Sequence, residues 1–325
     1  MTNKKDRFSE VLPLPVRVDI EPTIQCNFRC KICQRTYWDR ASKEMTFDQF
    51  KKIINQIPNV KQLKLQGMGE PLLNLDFFKM VRYSKQIGIE HVSTYTNGSL
   101  LYKDKINQEI INSGIDLVRV SIDASNQEKF ERIRPGANYL KIFSGLESLS
   151  NLALKHGKPM VEIWTVITSE NIDECMNIID LAKSVNVSIV NYQVIMNTFD
   201  YKPEIRNKLL QIKAPDVTLL SMVNLAKDYA LETSINLNVQ NSKSRSPQKP
   251  CHWPFDSTFI SVEGYIVPCC TIADPRVINM GNIFQEDFEQ IWIGDRYQEF
   301  RRSILDYQLH QACLNCYQLN RTWTQ

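Results

Sequence analysis

The chain has 325 residues, 43% of them hydrophobic, and a formal net charge of +3. That is enough apolar material for one large core, or a large core with a satellite, and too little charge for a nucleic-acid footprint. No run approaches the roughly 18 apolar residues of a membrane span, and the start, MTNKKDRFSE, lacks the apolar centre of a signal peptide. A cytoplasmic protein without nucleic-acid or membrane partners is therefore expected, with its thiols kept reduced. Nine cysteines, an odd number, then point to metal binding or catalysis rather than disulfides.

In chain order, VRVDI (16–20) reads as the first strand. TFDQFKKIINQI follows, with Thr46 and Gln49 at capping-box spacing, Phe47, Phe50, Ile53, Ile54 and Ile57 on one helical stripe, and Pro58 closing it. VKQLKLQ (60–66) is a second strand, and a helix over about 76–87 ends at Gly88. HVSTYT (91–96) and LVRVSID (117–123) read as strands, NYLKIFSGLESLSNLAL (138–154) as a helix, and MVEIWTVIT (160–168) and VSIVNYQVI (187–195) as the last two strands. This α/β alternation implies right-handed βαβ units and a parallel sheet. A doubly wound sheet, a closed eight-unit barrel and an open partial barrel all satisfy it, and six units favour a partial (β/α)6 TIM-like barrel over 1–240. The Pro/Ser-rich run NSKSRSPQKP (241–250) reads as a linker. Beyond it, STFISVEGYIVPCC (257–270) reads as two short strands turning at Glu263–Gly264, and EDFEQIWIGDRYQEFRRSIL (286–305) as a helix. Residues 251–325 are thus expected to be a small C-terminal module of β-hairpin plus helix.

The loop after the first strand carries CNFRCKIC, with Cys26, Cys30 and Cys33 in a C-x3-C-x2-C pattern. That loop leaves the C-terminal edge of the sheet, where α/β folds bind ligands. Each iron of a four-iron cubane takes one outer ligand, usually a thiolate. Three thiolates from one loop would leave the fourth iron open, and an open position is what separates a reactive metal site from a structural one. A zinc ion completed by a distant residue is the rival reading.

C-x3-C-x2-C after the first strand of a βα repeat resembles the radical S-adenosylmethionine (SAM) superfamily. The resemblance implies a partial (β/α)6 barrel and a [4Fe-4S] cluster whose open iron binds SAM. It also implies reductive cleavage of SAM to a 5′-deoxyadenosyl radical that abstracts a substrate hydrogen. Met68-Gly69-Glu70-Pro71 is similar to the family's GGEP motif, with Met68 in place of the first glycine, and implies that Gly69, Glu70 and Pro71 bind the SAM amino group. Ile32 stands where the family usually has an aromatic residue. Thr96-Asn97-Gly98 and Ser121-Ile122-Asp123 resemble segments that line the SAM pocket, which assigns Asn97 and Asp123 to it, Ser121 to the ribose and Arg134 to the SAM carboxylate.

Near the C-terminus, Cys251, Cys269, Cys313 and Cys316 form C-x12-G-x4-C followed, after 43 residues, by C-x2-C. Four thiolates close either a zinc site or a cluster. The order of cysteine, hairpin, MGNI (280–283), a helix containing IW and CxxC resembles the auxiliary-cluster modules of radical SAM enzymes. It looks most like the shortened "twitch" form of the SPASM module, as in the cyclitol dehydrogenase of butirosin biosynthesis. This implies a second, auxiliary [4Fe-4S] cluster that transfers single electrons. Cys270 is a spare ligand, a hydrogen-atom donor to a substrate radical, or packing, and Cys175 reads as core. His91, His156, His252 and His310 show no paired spacing, though His252 beside Cys251 is an alternative ligand. Trp164, Tyr192 and Gln193 are candidates for the barrel mouth.

The leading expectation is an oxidoreductase acting on a carbohydrate, aminocyclitol or nucleoside-type metabolite. In its most specific form it oxidises a secondary alcohol, with Asp200 in MNTFDY (196–201) as the candidate base. The alternative is maturation of a ribosomally made peptide by crosslinking or epimerisation, with Cys270 quenching the radical. Only 25 residues precede Cys26, which leaves no room before it for a peptide-recognition domain and lowers that expectation. A zinc-binding or redox-sensing module without turnover is a third reading, and it leaves the GEP and TNG segments unexplained. The family implies a flavodoxin or ferredoxin as the reducing partner.

Overall fold

The computed structural model describes residues 12–194, 203–240 and 249–318, so Asp200 and most of the 241–250 stretch lie outside the described residues. The six expected strands form within two residues of their expected bounds: β1 (Arg17–Ile20), β2 (Gln62–Leu65), β3 (His91–Thr96), β4 (Leu117–Ser121), β5 (Met160–Val166) and β6 (Ile189–Gln193). Between them run helices α1 (Phe47–Ile54), α2 (Phe77–Gln86), α3 (Asp104–Ser113), α4 (Gln127–Ile133), α5 (Tyr139–His156) and α6 (Cys175–Ser184). The first of these starts as its sequence requires: Thr46 and Gln49 exchange both capping-box hydrogen bonds. Helices α7 (Pro203–Gln211) and α8 (Asp216–Thr233) lead to β7 (Asn236–Gln240), a parallel strand that sequence reading missed. Its NLNVQ has only two apolar residues to mark it.

Strands β1 to β7 are parallel neighbours in chain order. Their two faces differ in character. Val18, Ile20, Leu63, Leu65, Val92, Val118, Val120, Ile163 and Val190 are buried on the face that packs under the helices. The alternate residues, among them Lys64, Gln66, Tyr95, Arg119, Ser121, Trp164 and Gln193, border cavities on the concave face. A closed barrel fills its interior with branched apolar side chains. A polar concave face instead belongs to a barrel that holds a ligand.

From residue 249 on come α9 (Trp253–Asp256), β8 (Ser257–Ile260), β9 (Tyr265–Val267), β10 (Gly281–Asn282), α10 (Phe288–Ile293), α11 (Asp295–Leu305) and α12 (Gln311–Gln318). The expected hairpin turns at Gly264, whose φ of +85° suits glycine. The expected single helix over 286–305 breaks into α10 and α11 at Gly294, which is extended rather than helical.

The C-terminal module is less separate than its sequence suggests. Strand β8 pairs in parallel with β1, from Arg17↔Ser257 to Ile20↔Ile260, so one ten-stranded sheet runs β10-β9-β8-β1-β2-β3-β4-β5-β6-β7. Arg301, fully buried between the Trp292 and Tyr297 rings (4.3 Å to each centroid), donates to Pro254 O and Trp292 O at 2.7 and 2.6 Å. Among the described residues, no helix is long and apolar enough to cross a membrane.

Because β8 covers the edge of β1, a chain ending at residue 250 leaves the first strand of the barrel unpaired on that side. Such a truncation is expected to aggregate on size-exclusion chromatography. A monodisperse truncated barrel would show that the β1–β8 pairing is dispensable.

Candidate active site

Parallel strands deliver the loops that follow them to one edge of the sheet, and a chamber of about 540 Å³ opens there. Its walls bring together Cys26, Cys30 and Cys33 from the loop after β1, Gly69 and Glu70 after β2, Asn97 after β3, Ser121 at the end of β4, Arg134 after α4, and Cys270 beyond the hairpin. Ile32, Trp164 and Gln193 line it too. Tyr192 does not: it points into the core, donating to Cys175 O, and Cys175 is buried as expected.

The cysteine loop is held on two sides. Arg29 N and Lys31 N donate to the carbonyls of Pro135 and Ile133 at 2.9 and 3.1 Å, and Glu70 N donates to Gln25 O at 2.7 Å. A Cβ on Gly69 would lie 2.3 Å from Thr23 O and 2.5 Å from Gln25 O, so this approach admits only glycine. Gly67 is equally confined, since its Cβ would meet Glu21 Cγ at 2.1 Å. These two glycines make the close contacts, which is why Met68 is tolerated between them.

Glu70, 2% exposed, ties the second loop to the third. Its carboxylate accepts from Thr96 Oγ1 (2.7 Å), Asn97 N (2.6 Å) and Leu72 N (3.2 Å), and burial pushes its pKa up to about 7. The amide of Asn97 in turn donates to Cys26 Sγ at 3.7 Å and Asn27 Oδ1 at 3.0 Å. Burial raises all three thiols, Cys30 to about 12. A thiol in that environment gives up its proton to bind a metal rather than to water.

Asp123 stands behind the chamber wall. Its Oδ1 accepts from Val166 N at 3.0 Å and its Oδ2 lies 2.5 Å from Arg134 Nη2. The buried Nε of Arg134 has no hydrogen-bond acceptor, an orphan donor of the kind a ligand carboxylate satisfies. Pro71 is buried at the start of a short 3-10 turn and shapes the loop without lining the chamber. Three thiols, an acidic acceptor, an orphan basic donor and two confined glycines fit a three-thiolate cluster with SAM bound beside it.

The second set also converges. Cys251, Cys269, Cys313 and Cys316 line one small apolar cavity of about 30 Å³, walled by Pro254, Ile272, Phe300, Ile304 and Ala312. His252 is not among its walls, and its Nδ1 lies 3.0 Å from Asp256. None of the nine cysteines is in a disulfide. Among the described residues, no three or more His, Cys, Asp or Glu side chains converge as ligands of a single metal ion.

Sequence reading missed Glu21, which is fully buried. It accepts from Met68 N at 2.9 Å and from Val262 N of the C-terminal module at 3.3 Å, and lies 3.7 Å from Arg40, which also binds Glu263 at 2.8 Å. It also missed Lys64, Gln66 and Tyr95 on the concave face. The available signal was charge inside strand-like runs, Asp19 in VRVDI and Lys64 in VKQLKLQ, where a sheet buried on both faces would be apolar.

A family model described as the radical SAM superfamily matches residues 20–182, and one described as an iron–sulfur cluster-binding domain (SPASM) matches residues 251–317. A tungsten-containing aldehyde ferredoxin oxidoreductase cofactor-modifying protein of Pyrococcus furiosus is 26% identical over 319 residues, spanning 91% of this chain and 86% of that protein. Among solved structures, Streptococcus suis SuiB bound to S-adenosylmethionine superposes with a TM-score of 0.72 at 17% identity, covering 92% of this chain and 70% of SuiB. The butirosin enzyme BtrN, solved with AdoMet and 2-DOIA, gives 0.50 at 15% identity over 90% and 88% of the two chains. Both likenesses are of fold alone, and the weaker one is to the enzyme that the C-terminal module resembled in sequence.

Burial raises the pKa of Glu21 from 4.5 to about 7, against the opposing pull of Arg40. The folded chain therefore keeps this proton where the unfolded chain has released it, so the stability from this group falls as pH rises from 4.5 through 7. Denaturant titrations of the apoprotein are expected to show that decline weakened in Glu21→Gln. An unchanged pH profile would mean that Glu21 is ionised in the fold.

Proposed function

Since this chain belongs to the radical S-adenosylmethionine superfamily, we propose that it takes a hydrogen atom from a small polar metabolite and passes an electron to an auxiliary cluster in its C-terminal module. Its cofactors are SAM and two iron–sulfur clusters. When bound, SAM and the cluster beside it supply a 5′-deoxyadenosyl radical that abstracts hydrogen from carbon.

One juxtaposition supports the reading. Cys269 lines the auxiliary cavity, and its neighbour Cys270 lines the SAM chamber. The auxiliary site would thus lie one residue from the wall of the chamber in which we place the reaction. An oxidation needs somewhere close by for the second electron to go, and a cluster is suited to take it. Gln66, Gln193 and Gln240, with Lys64, give the chamber hydrogen-bonding walls. Such walls suit a carbohydrate, aminocyclitol or nucleoside-type compound, and the Pyrococcus furiosus relative is itself named for modifying a cofactor.

Maturation of a ribosomally made peptide, with epimerisation as its most specific form, is a second reading favoured by the same Cys270. A thiol in the chamber can give its hydrogen atom to a substrate carbon radical; the thiyl radical left behind returns to thiol with one electron and one proton. The electron would come from the reduced auxiliary cluster and the proton from solvent.

The deciding assay incubates anaerobically reconstituted protein with SAM and a reductant, and measures 5′-deoxyadenosine against panels of aminocyclitols, nucleotide sugars and precursor-type peptides. Stimulation by the sugar-type panel is expected, with oxidised product abolished in Cys313→Ala/Cys316→Ala. Full product formation without the auxiliary cluster would end the electron-acceptor role. For the second reading, product formed in D2O is expected to carry deuterium, and Cys270→Ala to lose it.

A further inference from the structure

The chamber wall carries a cation whose charge the chemistry above does not use. Lys64, on β2 with its side chain 13% exposed, lines the SAM chamber and also a second cavity of about 160 Å³ toward the other end of the strands. Its Nζ lies 2.5 Å from Asp19 Oδ2, and the same carboxylate is shared with Arg17, whose Nε is 3.7 Å from Oδ1. Asp19 is fully buried, and Lys64 is the nearer of its two cationic partners. The ammonium is thus paired with Asp19 on one side and borders the chamber on the other.

The surrounding charges leave an excess. Two cations, Arg17 and Lys64, share the single charge of Asp19, while Arg119 is balanced by Glu162 at 2.6 Å and donates to Tyr95 Oη at 3.2 Å. Tyr95 and Cys270 are the other titratable side chains near Lys64. Burial disfavours the charge on Lys64, yet Asp19 outweighs it and the amine's pKa is raised, so the group is a fixed cation rather than a base. A largely buried ammonium on the chamber wall, sharing one carboxylate with a second cation, is complementary to an anion.

We propose that Lys64 is the substrate anchor of this chamber and holds a carboxylate or phosphate group of the metabolite. This rests on the chamber being the reaction site. Gripped at Lys64, the substrate lies against Cys270 and Thr271 on the module's side, within the same enclosure as the three-cysteine loop. The substrate class narrows accordingly, from polar metabolites in general to acids or phosphate esters.

The test uses reconstituted holoprotein loaded with SAM and measures binding calorimetrically, with inorganic phosphate and glutarate as anionic probes and glycerol as the neutral control. At least one anion is expected to bind wild type about tenfold or more tightly than it binds Lys64→Met, the scale of one hydrogen bond to a charged group. Lys64→Arg is expected to retain the preference. Selectivity for phosphate identifies a phosphate ester and selectivity for glutarate a carboxylic acid. Anion affinity unchanged in Lys64→Met, or no preference over glycerol, overturns the anchor. The same preparation is assayed for 5′-deoxyadenosine, so that absent SAM cleavage counts against the functional reading without touching the binding result.

Discussion

A single buried carboxylate stands where the working parts of this protein meet. Glu21 follows β1 directly, and its two oxygens accept one backbone N–H from the loop after β2 and one from the C-terminal module. Arg40, beyond the cysteine loop, approaches it and reaches on to Glu263. Burying an acid is costly unless its oxygens are satisfied, and here the satisfaction comes from three separate stretches of chain. Their relative positions are therefore coupled: displacing the loop at Met68, the turn at Val262 or the arm carrying Arg40 leaves a buried acceptor unpaired. Gly67 completes the arrangement, because any side chain there would occupy the space of Glu21.

The same logic is repeated one layer higher. Glu70 takes three hydrogen bonds from the loops after β2 and β3, and Asn97 carries the connection on to Cys26. A chain of buried polar groups thus runs from the sheet to the first thiol. Fully satisfied networks of this kind rigidify a site, and a cluster held by this loop would need its thiolate ligands kept still.

Pairing of β1 with β8 gives the two thiol sets their relation. Because the hairpin extends the barrel sheet, the segment after β9 is brought to the chamber's rim, where consecutive side chains face opposite ways. Cys269 then belongs to one cavity and Cys270 to the other. Had the module docked through a separate interface, the distance between the two sites would depend on a linker rather than on strand register.

By itself the sequence determined the alternation of strands and helices, the three-thiol loop, the GEP and TNG segments and the four-thiol set, because each is a local pattern of spacing or capping. The strand bounds, the Thr46 cap and the hairpin at Gly264 were legible for the same reason. It did not contain the fate of the C-terminal module, since parallel pairing joins residues some 240 positions apart and leaves no periodic trace in either partner. The faint strand at Asn236–Gln240 was decided by its pairing with β6 rather than by local preference, whereas the break at Gly294 had a local signal in the glycine itself. Asp19 and Lys64 stand out on paper only as charges inside strand-like runs, and Glu21 not at all. Only the folded sheet takes them out of water and gives them partners, and it is that desolvation which turns a surface charge into a structural or binding group.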